Sequence, residues 1–386
     1  MSSFRLPPYP YDRLEPALRA ASAHPGGVVD LSIGTPGDPP PPAVLEALAD
    51  ADRDGAARGY PPSAGTPALR RAASEWMAAT FGVEVGAEAV GACVGTKELV
   101  ATAPAWLALR TPGRDTVLHP AVAYPTYEMG ARLAGLRPVA VPAGPGGGSD
   151  LGAIDPGDAR RALMLWVNSP ANPTGALDDL AAAAAWGAER GVPVWSDECY
   201  AEYTWDGAPR TVLGHGTGPD GLGGVVAVHS LSKRSNLAGL RVGWYAGDPE
   251  LVGYLREVRK HAGLMVPGPA QAAAVEALGD QAHVVEQRSR YWRRLRVVAA
   301  LLERLGLAAT TPAGGFYLWV PVPGGDAWAW TQRLAEEVGV LVSPGDLYGP
   351  AAAGFLRVAV VATDDRLELL AARVAAFEAA AGRGAR

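Results

Sequence analysis

An α/β fold with a mostly parallel central sheet, joined by a smaller α+β domain, is predicted for this 386-residue chain. Up to about residue 266, short apolar runs bounded by turn residues alternate with longer helical patterns, which is typical of a parallel sheet with helices on both faces. Beyond it, a long helical stretch precedes three strand-like runs and a closing helix. The composition, 48% hydrophobic and 19% charged, is that of a globular protein long enough for two domains.

The elements of the larger domain follow from the apolar runs and their periodicity. The predicted strands are Val90 to Val94, Thr116 to His119, Ala162 to Val167, Val192 to Trp195, Val225 to His229 and Val242 to Ala246. The predicted helices are Glu98 to Leu109, Tyr127 to Ala134, Asp178 to Arg190 and Pro249 to His261. Ligands of such sheets bind beyond the carboxyl ends of the strands.

The sequence predicts that the chain is divided into three segments. Residues 1–40 form an N-terminal arm that joins the small domain, and residues 41–266 form the large α/β domain. Residues 267–386 supply a linking helix and the C-terminal small α+β domain. Here the expected elements are a helical stretch from Pro267 to Gly306, strands at Gly315 to Pro321, Val338 to Val342 and Phe355 to Val360, and a helix from Asp364 to Ala381.

Charge and composition argue against several classes of function. The net charge of −6 and the lack of a basic run argue against nucleic-acid binding. The N-terminal residues have no apolar signal region, and no run of 18 apolar residues occurs, so we expect neither export nor a membrane span. Two cysteines without a CxxC motif suit a cytoplasmic protein, and the scattered histidines suggest no metal centre.

Lysine is almost absent from the chain. Of the 34 basic residues, the only lysines are Lys97, Lys233 and Lys260, and the rest are arginines. Arginine stays protonated at neutral pH and cannot form an imine with an aldehyde. A lysine that lies among other polar residues in such a chain is therefore a candidate for covalent chemistry.

One of these lysines lies in a polar segment between two predicted strands, HSLSKRSNLAGLRVG. Ser230 and Ser232 offer hydroxyls, Lys233 offers an amine, and Arg241 offers a guanidinium eight residues later. Hydroxyls and a forked cation are the groups that bind a phosphate monoester. A solvated surface loop would explain the same residues.

Polar residues also follow other predicted strands. Asp197 comes just after a buried strand, where a carboxylate needs a cation such as a protonated pyridine nitrogen. Asn172 lies in the turn NPTG, and Tyr200 follows Asp197 by three residues. A helix cap would explain Asp197 equally well, and turn formation would explain Asn172.

A third group of motifs combines helix starts and aromatic residues. The helix that opens after Gly95 at Thr96 and Lys97 would present free amide groups to a phosphate. In the segment AYPTY, either Tyr124 or Tyr127 could stack on an aromatic ring. An ordinary helix cap and core packing are the alternative explanations. Tyr60 lies in a turn-rich loop before a helix.

Together, these motifs resemble the class I and II aminotransferases, which are fold type I enzymes of pyridoxal 5′-phosphate (PLP). The match rests on SxSK with its following arginine, DxxY, NPxG, and GTK before a helix, and it covers nearly the whole chain from Ile33 and Gly34 onward. It implies that Lys233 binds PLP as a Schiff base and moves the proton, with Asp197 and Tyr200 as further catalytic residues. The other cofactor-binding residues implied are Gly95, Thr96, Lys97, Tyr124, Asn172, Ser230, Ser232, Arg241 and Tyr60.

The resemblance also implies partners. Arg357 would bind the substrate carboxylate, with Gly34 and Asn172 nearby, and Tyr60 would reach the site of the neighbouring subunit in a homodimer. The substrates would be a small-molecule amino donor and a 2-oxo acid. Longer strings, among them VRKHAGLMVP, are similar to actinobacterial succinyldiaminopimelate aminotransferases of lysine biosynthesis. Such a substrate has further carboxylates, for which Arg58, Arg259, Lys260 and His261 are candidates, although solvated helix positions would explain these residues as well. An aspartate or aromatic aminotransferase and a C–S lyase of the same fold stay open, whereas a PLP-binding transcription regulator would need a DNA-binding head.

Overall fold

The computed structural model describes residues 9–56 and 58–384, which form two compact units. The larger unit comprises Thr35–Arg290 and Pro312–Gly315. The smaller unit comprises the N-terminal segment up to Gly34, Tyr291–Thr311 and the chain from Phe316 onward.

The helices and strands of the larger unit alternate through most of its length. Its helices are α2 (Pro42–Arg53), α3 (Pro67–Phe81), α4 (Thr96–Arg110), α5 (Thr126–Leu133), α6 (Pro156–Arg161), α7 (Leu180–Arg190), α8 (Leu231–Arg234), α9 (Pro249–His261) and α10 (Gly268–Gly279). Its strands are β2 (Val90–Cys93), β3 (Thr116–Pro120), β4 (Arg137–Val141), β5 (Ala162–Asn168), β6 (Val194–Asp197), β7 (Val225–Ser230) and β8 (Gly243–Gly247).

These strands form one seven-stranded sheet in the order β2-β8-β7-β6-β5-β3-β4. Strand β8 is antiparallel to both of its neighbours, and the other pairs are parallel. Six strands therefore point the same way, and the predicted mostly parallel sheet is confirmed. The residues just before β8 lie at the edge where β2 and β7 end.

Both faces of this sheet are buried. All residues of β5 are buried, and from Met164 to Val167 they alternate between two apolar clusters: Leu165 and Val167 pack in one, Met164 and Trp166 in the other. This pattern is expected of a parallel strand covered by helices on both sides.

The smaller unit is built from α1 (Glu15–Ser22), the C-terminal part of α11 (Ala282–Arg304), α12 (Ala327–Val338) and α13 (Asp364–Gly384). Its strands are β1 (Val29–Asp30), β9 (Tyr317–Pro321), β10 (Val340–Leu341), β11 (Ser343–Pro344) and β12 (Phe355–Ala359). Strands β11, β12 and β9 form an antiparallel sheet, while β1 pairs with β10 in parallel. The N-terminal segment thus contributes a strand to this unit.

The boundaries of the units differ from the expected ones at residues 40/41 and 266/267. The larger unit begins at Thr35 and continues through α10 to Arg290 in α11. Helix α10 belongs to it because Ala270, Ala273 and Ala277 pack in its apolar core against α2 and α3. Within the described ranges, no helix is long and apolar enough to cross a membrane.

Candidate active site

Polar side chains of the larger unit gather where adjacent parallel strands end. Asp197 is the last residue of β6, and Ser230 is the last residue of β7. In the sheet register, Asn168 of β5 lies beside Asp197, and Asp197 lies beside Val228 of β7. The Asp197 and Lys233 segments, separated by more than 30 residues in the chain, are therefore neighbours.

Lys233 lies in a single helical turn, α8, whose start is fixed by two serines. The Ser230 hydroxyl oxygen accepts a hydrogen bond from the Ser232 amide at 3.0 Å, and the two hydroxyls are 2.8 Å apart. The Tyr203 hydroxyl donates to the carbonyl oxygen of Lys233 at 3.1 Å. The backbone that carries the lysine is thus held from both sides.

The carboxylate of Asp197 is buried and accepts hydrogen bonds from Tyr127 and Cys199. Tyr127 donates its hydroxyl to Oδ2 at 2.8 Å, and the Cys199 amide donates to Oδ1 at 3.2 Å. Burial raises the pKa of Asp197, while the hydrogen bonds from Cys199 and Tyr127 and the charge of Lys233 act to lower it. Such a carboxylate is suited to pairing with one buried cation.

The turn that contains Asn172 is fixed by its neighbours. The Asn172 amide donates to the side-chain oxygen of Asn168 at 2.7 Å, and Asn168 in turn donates to the Asp197 carbonyl at 2.8 Å. The turn ends at Gly175, which has a φ of 71° and faces Pro312 and Gly314 so closely that a Cβ would collide. Asn172 is consequently tied to the segment that carries Asp197.

An anion cradle lies at the start of α4. Gly95 has a φ of 71°, and a Cβ on it would overlap the guanidinium of Arg241. Arg241 is itself in the left-handed region, with a φ of 56°, and donates to the carbonyl oxygens of Ala238 at 2.9 Å and Val94 at 3.4 Å. The cradle combines the helix amides of Thr96 and Lys97 with a forked cation, which is a phosphate-binding arrangement.

The tyrosines proposed for the site differ in their burial and in their contacts. Tyr124 packs edge-on against Tyr127 with ring centroids 6.1 Å apart, and the Lys97 ammonium lies 5.9 Å from the Tyr124 ring. Tyr200 is buried just before the 3-10 helix Ala201–Tyr203. Tyr60, by contrast, is 95% exposed on the loop between α2 and α3.

Arg357 and Gly34 lie in the smaller unit, close to one shared tyrosine. The Arg357 guanidinium is 4.4 Å from the Tyr317 ring centroid and 4.6 Å from that of Tyr348, and it donates to the carbonyl oxygen of Ser32. A Cβ on Gly34 would collide with the Tyr317 hydroxyl. The aromatic rings fix the direction of a buried guanidinium, as binding of a planar carboxylate requires.

Comparison with known proteins decides the family. The model of the class I and II aminotransferases matches residues 26–374. The chain belongs to this family. The family predicted from the motifs is thus confirmed, and PLP is the cofactor of the aminotransferase.

Relatives with different substrates resemble this aminotransferase over nearly their full length. A 4-dedimethylamino-4-oxo-anhydrotetracycline transaminase of Streptomyces rimosus is 46% identical, covering 96% of this chain and 99% of the relative. An LL-diaminopimelate aminotransferase of Desulforudis audaxviator is 36% identical, covering 94% and 93%. The structure of a probable N-succinyldiaminopimelate aminotransferase from Thermus thermophilus is 33% identical, covers 95% and 100%, and has a TM-score of 0.83.

The residues of the larger unit suit PLP. The cradle at Gly95 excludes any side chain, which leaves the helix amides and Arg241 open to a phosphate. Asp197 offers a buried carboxylate that would suit a protonated pyridine nitrogen, and Lys233 offers an amine that would suit an aldehyde carbon. Of the other two lysines, Lys97 also follows a strand of the sheet closely but is exposed, and Lys260 lies near the end of α9.

Sequence reasoning missed several buried partners of the aminotransferase site. Arg234, next to Lys233, forms a 2.6 Å ion pair with Glu202, and both are buried. Arg259 was a sequence-based candidate for contacting the substrate, but the structure corrects this. It is fully buried and paired with Glu98 at 2.7 Å.

Tyr127 and His229 are the other residues that the motifs did not assign to the site. The spacing of AYPTY offered two tyrosines, and only the structure shows that Tyr127 contacts Asp197. Nε2 of His229, next to Ser230, lies 3.4 Å from Oε2 of Glu198, next to Asp197. In the sequence, the one sign that His229 and Glu198 lie near the site is that each is adjacent to a motif residue.

Proposed function

We propose that the enzyme transfers an amino group between N-succinyl-L,L-diaminopimelate and 2-oxoglutarate, with glutamate as the donor in the biosynthetic direction. Support for amino transfer comes from the neighbouring Lys233 and Asp197 segments at the ends of β7 and β6. Support for the substrate comes from the likeness to the Thermus thermophilus protein, which extends over the full length of that chain.

In this proposal, different residues of the larger unit contact different parts of PLP. Lys233 binds the aldehyde carbon covalently, and Asp197 pairs with the protonated pyridine nitrogen. Asn172 and Tyr200 contact the phenolic oxygen, and Tyr124 stacks on the ring. The phosphate is bound by Gly95, Thr96, Lys97, Ser230, Ser232 and Arg241.

Bound PLP supplies the electron sink that stabilises negative charge at the substrate Cα. The protein would supply the proton transfer: the Lys233 amine would accept the proton from the substrate Cα and later give it up again, so that the same group serves as base and acid. Asp197 would favour the protonated form of the pyridine nitrogen, and Tyr127 and Cys199 hold its carboxylate in place.

Arg357 is proposed as the residue that binds the α-carboxylate, with Gly34 and Asn172 as further substrate contacts. Its guanidinium is oriented by Tyr317 and Tyr348. Gly34 beside Tyr317 leaves no room for a side chain. A planar guanidinium can bind both carboxylate oxygens at once, which a lysine could not do.

A succinylated substrate has further carboxylates, which require further cations. Of the basic residues considered from the sequence, Arg58, Lys260 and His261 are exposed, while Arg259 is buried and paired. Lys260 pairs with the exposed Glu257 at 2.6 Å. Arg58 and His261 are therefore the proposed candidates from this set.

A second candidate function is amino transfer to a polycyclic ketone. The Streptomyces rimosus relative named for an anhydrotetracycline substrate is more similar in sequence, at 46%, than the Thermus thermophilus protein, at 33%. Aspartate, aromatic amino acids and cystathionine represent the remaining alternatives, because every cofactor contact proposed here would serve them as well.

A panel of amino donors with 2-oxoglutarate as the acceptor tests the substrate. N-succinyl-L,L-diaminopimelate should exceed unacylated diaminopimelate and aspartate in kcat/KM by roughly a thousandfold. Equal values for the three would contradict the succinylated substrate and leave amino transfer intact. Release of pyruvate and ammonia from cystathionine without amino transfer would instead indicate a C–S lyase.

We also propose a cytoplasmic homodimer in which Tyr60 reaches the phosphate of the neighbouring subunit. Tyr60 is 95% exposed in the single chain, so its side chain is available to a neighbouring subunit. Two inactive variants, Tyr60→Ala and Lys233→Ala, should regain activity when mixed if sites are shared. A monomer in sedimentation experiments would contradict the proposal.

A further inference from the structure

A negative charge lies in the first turn of the helix that is proposed to bind phosphate. Glu98 is the third residue of α4, and its Oε2 accepts a hydrogen bond from the Val94 amide at 3.1 Å. Its Oε1 accepts from the Thr102 hydroxyl at 3.0 Å. An acidic residue stabilises a free helix N-terminus, but here it would repel a phosphate bound at the same end.

A fully buried arginine neutralises this carboxylate. Arg259, near the C-terminal end of α9, donates from Nη1 to Oε1 at 2.8 Å and from Nη2 to Oε2 at 2.7 Å. The guanidinium has no exposed surface and lies 5.8 Å from the Tyr245 ring centroid. A buried ion pair is seldom more stabilising than apolar residues of the same volume, so stability alone does not account for it.

The pair also controls the backbone of the turn. Glu98 binds the Val94 amide, and Arg241 binds the Val94 carbonyl oxygen. Both polar groups of this residue are therefore fixed immediately before Gly95. These two contacts keep the free amides at the start of α4 directed toward the space beside the Arg241 guanidinium.

We propose that Arg259 is a positioning residue for the cofactor phosphate, which it serves through Glu98 by cancelling the carboxylate charge in the first turn of α4. Glu98 then holds the Val94 amide without repelling the phosphate. This inference rests on the proposed function, in which the start of α4 binds the phosphate of PLP.

The test compares PLP with pyridoxal, which has the same ring and aldehyde but no phosphate. Dissociation constants of both are measured for the apoenzyme of the wild type, Arg259→Met, Glu98→Gln and the double variant. Arg259→Met leaves a carboxylate beside the phosphate, so we expect PLP to bind roughly ten- to hundredfold more weakly. Pyridoxal affinity should change little.

The two other variants determine whether charge is the cause. Glu98→Gln keeps an acceptor for the Val94 amide and leaves the arginine cation, so PLP should bind as tightly as to the wild type or more tightly. The double variant has neither charge, and its preference for PLP over pyridoxal should lie between those of the two single variants. Competition by inorganic phosphate should follow the same order.

Equal losses of PLP and pyridoxal affinity in Arg259→Met would overturn the inference, because a purely structural defect would affect both ligands alike. If Arg259→Met does not fold, Glu98→Gln and the double variant still test the inference. An equal preference for PLP over pyridoxal in these two variants would overturn it. A wild-type apoenzyme that binds pyridoxal as tightly as PLP would contradict the proposed phosphate site itself.

Discussion

Tyr127 of α5 donates a 2.8 Å hydrogen bond to Oδ2 of Asp197 at the end of β6, and both side chains are buried. Burial and the adjacent Asp197 raise the pKa of Tyr127 well above its ordinary value. The tyrosine therefore keeps its proton at neutral pH and acts as the donor. It is one of the donors that favour the charged form of the Asp197 carboxylate.

Replacing Tyr127 with phenylalanine should lower kcat by roughly ten- to hundredfold, since a hydrogen bond to a charged group contributes about 1.5–3 kcal/mol. The pKa of Asp197 should rise when the donor is lost. If the charged form is the active one, as proposed, the acidic limb of the pH–rate profile should move to higher pH. Tyr254→Phe is a matched control, since it removes a 2.8 Å hydroxyl hydrogen bond to the Trp106 carbonyl. Identical pH profiles for both variants would rule out this role.

Removing the carboxylate itself should separate cofactor binding from catalysis. Asp197→Ala should retain PLP through the covalent bond to Lys233 and the phosphate contacts, while transamination falls by about a thousandfold, the scale of losing one preorganised electrostatic contact. Single-turnover rates and the visible absorbance of the purified variant measure the two effects. Near-normal turnover would show that Asp197 serves only the local backbone.

Covalent attachment should be confined to one of the three lysines. Borohydride treatment of the yellow holoenzyme should fix the cofactor to Lys233, as peptide mass spectrometry would show. Lys97 and Lys260 are internal controls, because Lys97 is exposed at the start of α4 and Lys260 pairs with Glu257 at 2.6 Å. Labelling of either in place of Lys233 would contradict the proposed site.

The buried strands were the most predictable part of the fold. The predicted strand Val192 to Trp195 is observed as Val194–Asp197, and the helix Pro249 to His261 has the same bounds in the structure. Strand β4 was not predicted because it lies at the sheet edge, where only Val141 of its five residues is buried. Partial burial removes the continuous apolar run that identified the other strands.

Local motifs predicted the site residues that share one loop, but not the pairs between distant segments. Ser230, Ser232 and Lys233 lie within one turn, so their spacing carries the information. Glu98 and Arg259 are 161 positions apart, and no periodicity or motif links them. The burial of Arg259 depends on the tertiary structure and cannot be read from the sequence, which is why this residue was a candidate for binding substrate.

A second pair of this kind joins the segments of Asp197 and Ser230 and predicts how stability depends on pH. Burial raises the pKa of Glu198 from 4.5 to about 8 and lowers the pKa of His229 from 6.5 to about 3. Glu198 also accepts a hydrogen bond from the Val212 amide at 2.7 Å. Near pH 6 the folded protein therefore contains a neutral glutamic acid beside a neutral histidine.

The two groups affect stability in opposite directions. Between pH 3 and 6.5 the unfolded chain binds a proton at His229 that the folded protein lacks, so this group makes stability rise with pH. Between pH 4.5 and 8 the folded protein keeps a proton on Glu198 that the unfolded chain releases, so stability falls with pH. The effects cancel where they overlap, and the fall remains from about pH 6.5 to 8.

Glu198→Gln should therefore be nearly neutral below about pH 4.5, stabilising at pH 6 and more stabilising at pH 8.5, because glutamine keeps the acceptor for Val212 but cannot ionise. The difference from the wild type in free energy of unfolding should grow by roughly 2–3 kcal/mol between pH 6 and pH 8.5. Urea denaturation at constant ionic strength measures it. Glu257→Gln is the control: Lys260 lowers the pKa of this exposed carboxyl, which is ionised in both states above pH 6. A parallel pH dependence in both variants would contradict a proton held on Glu198, whereas a gain confined to Glu198→Gln would locate it there.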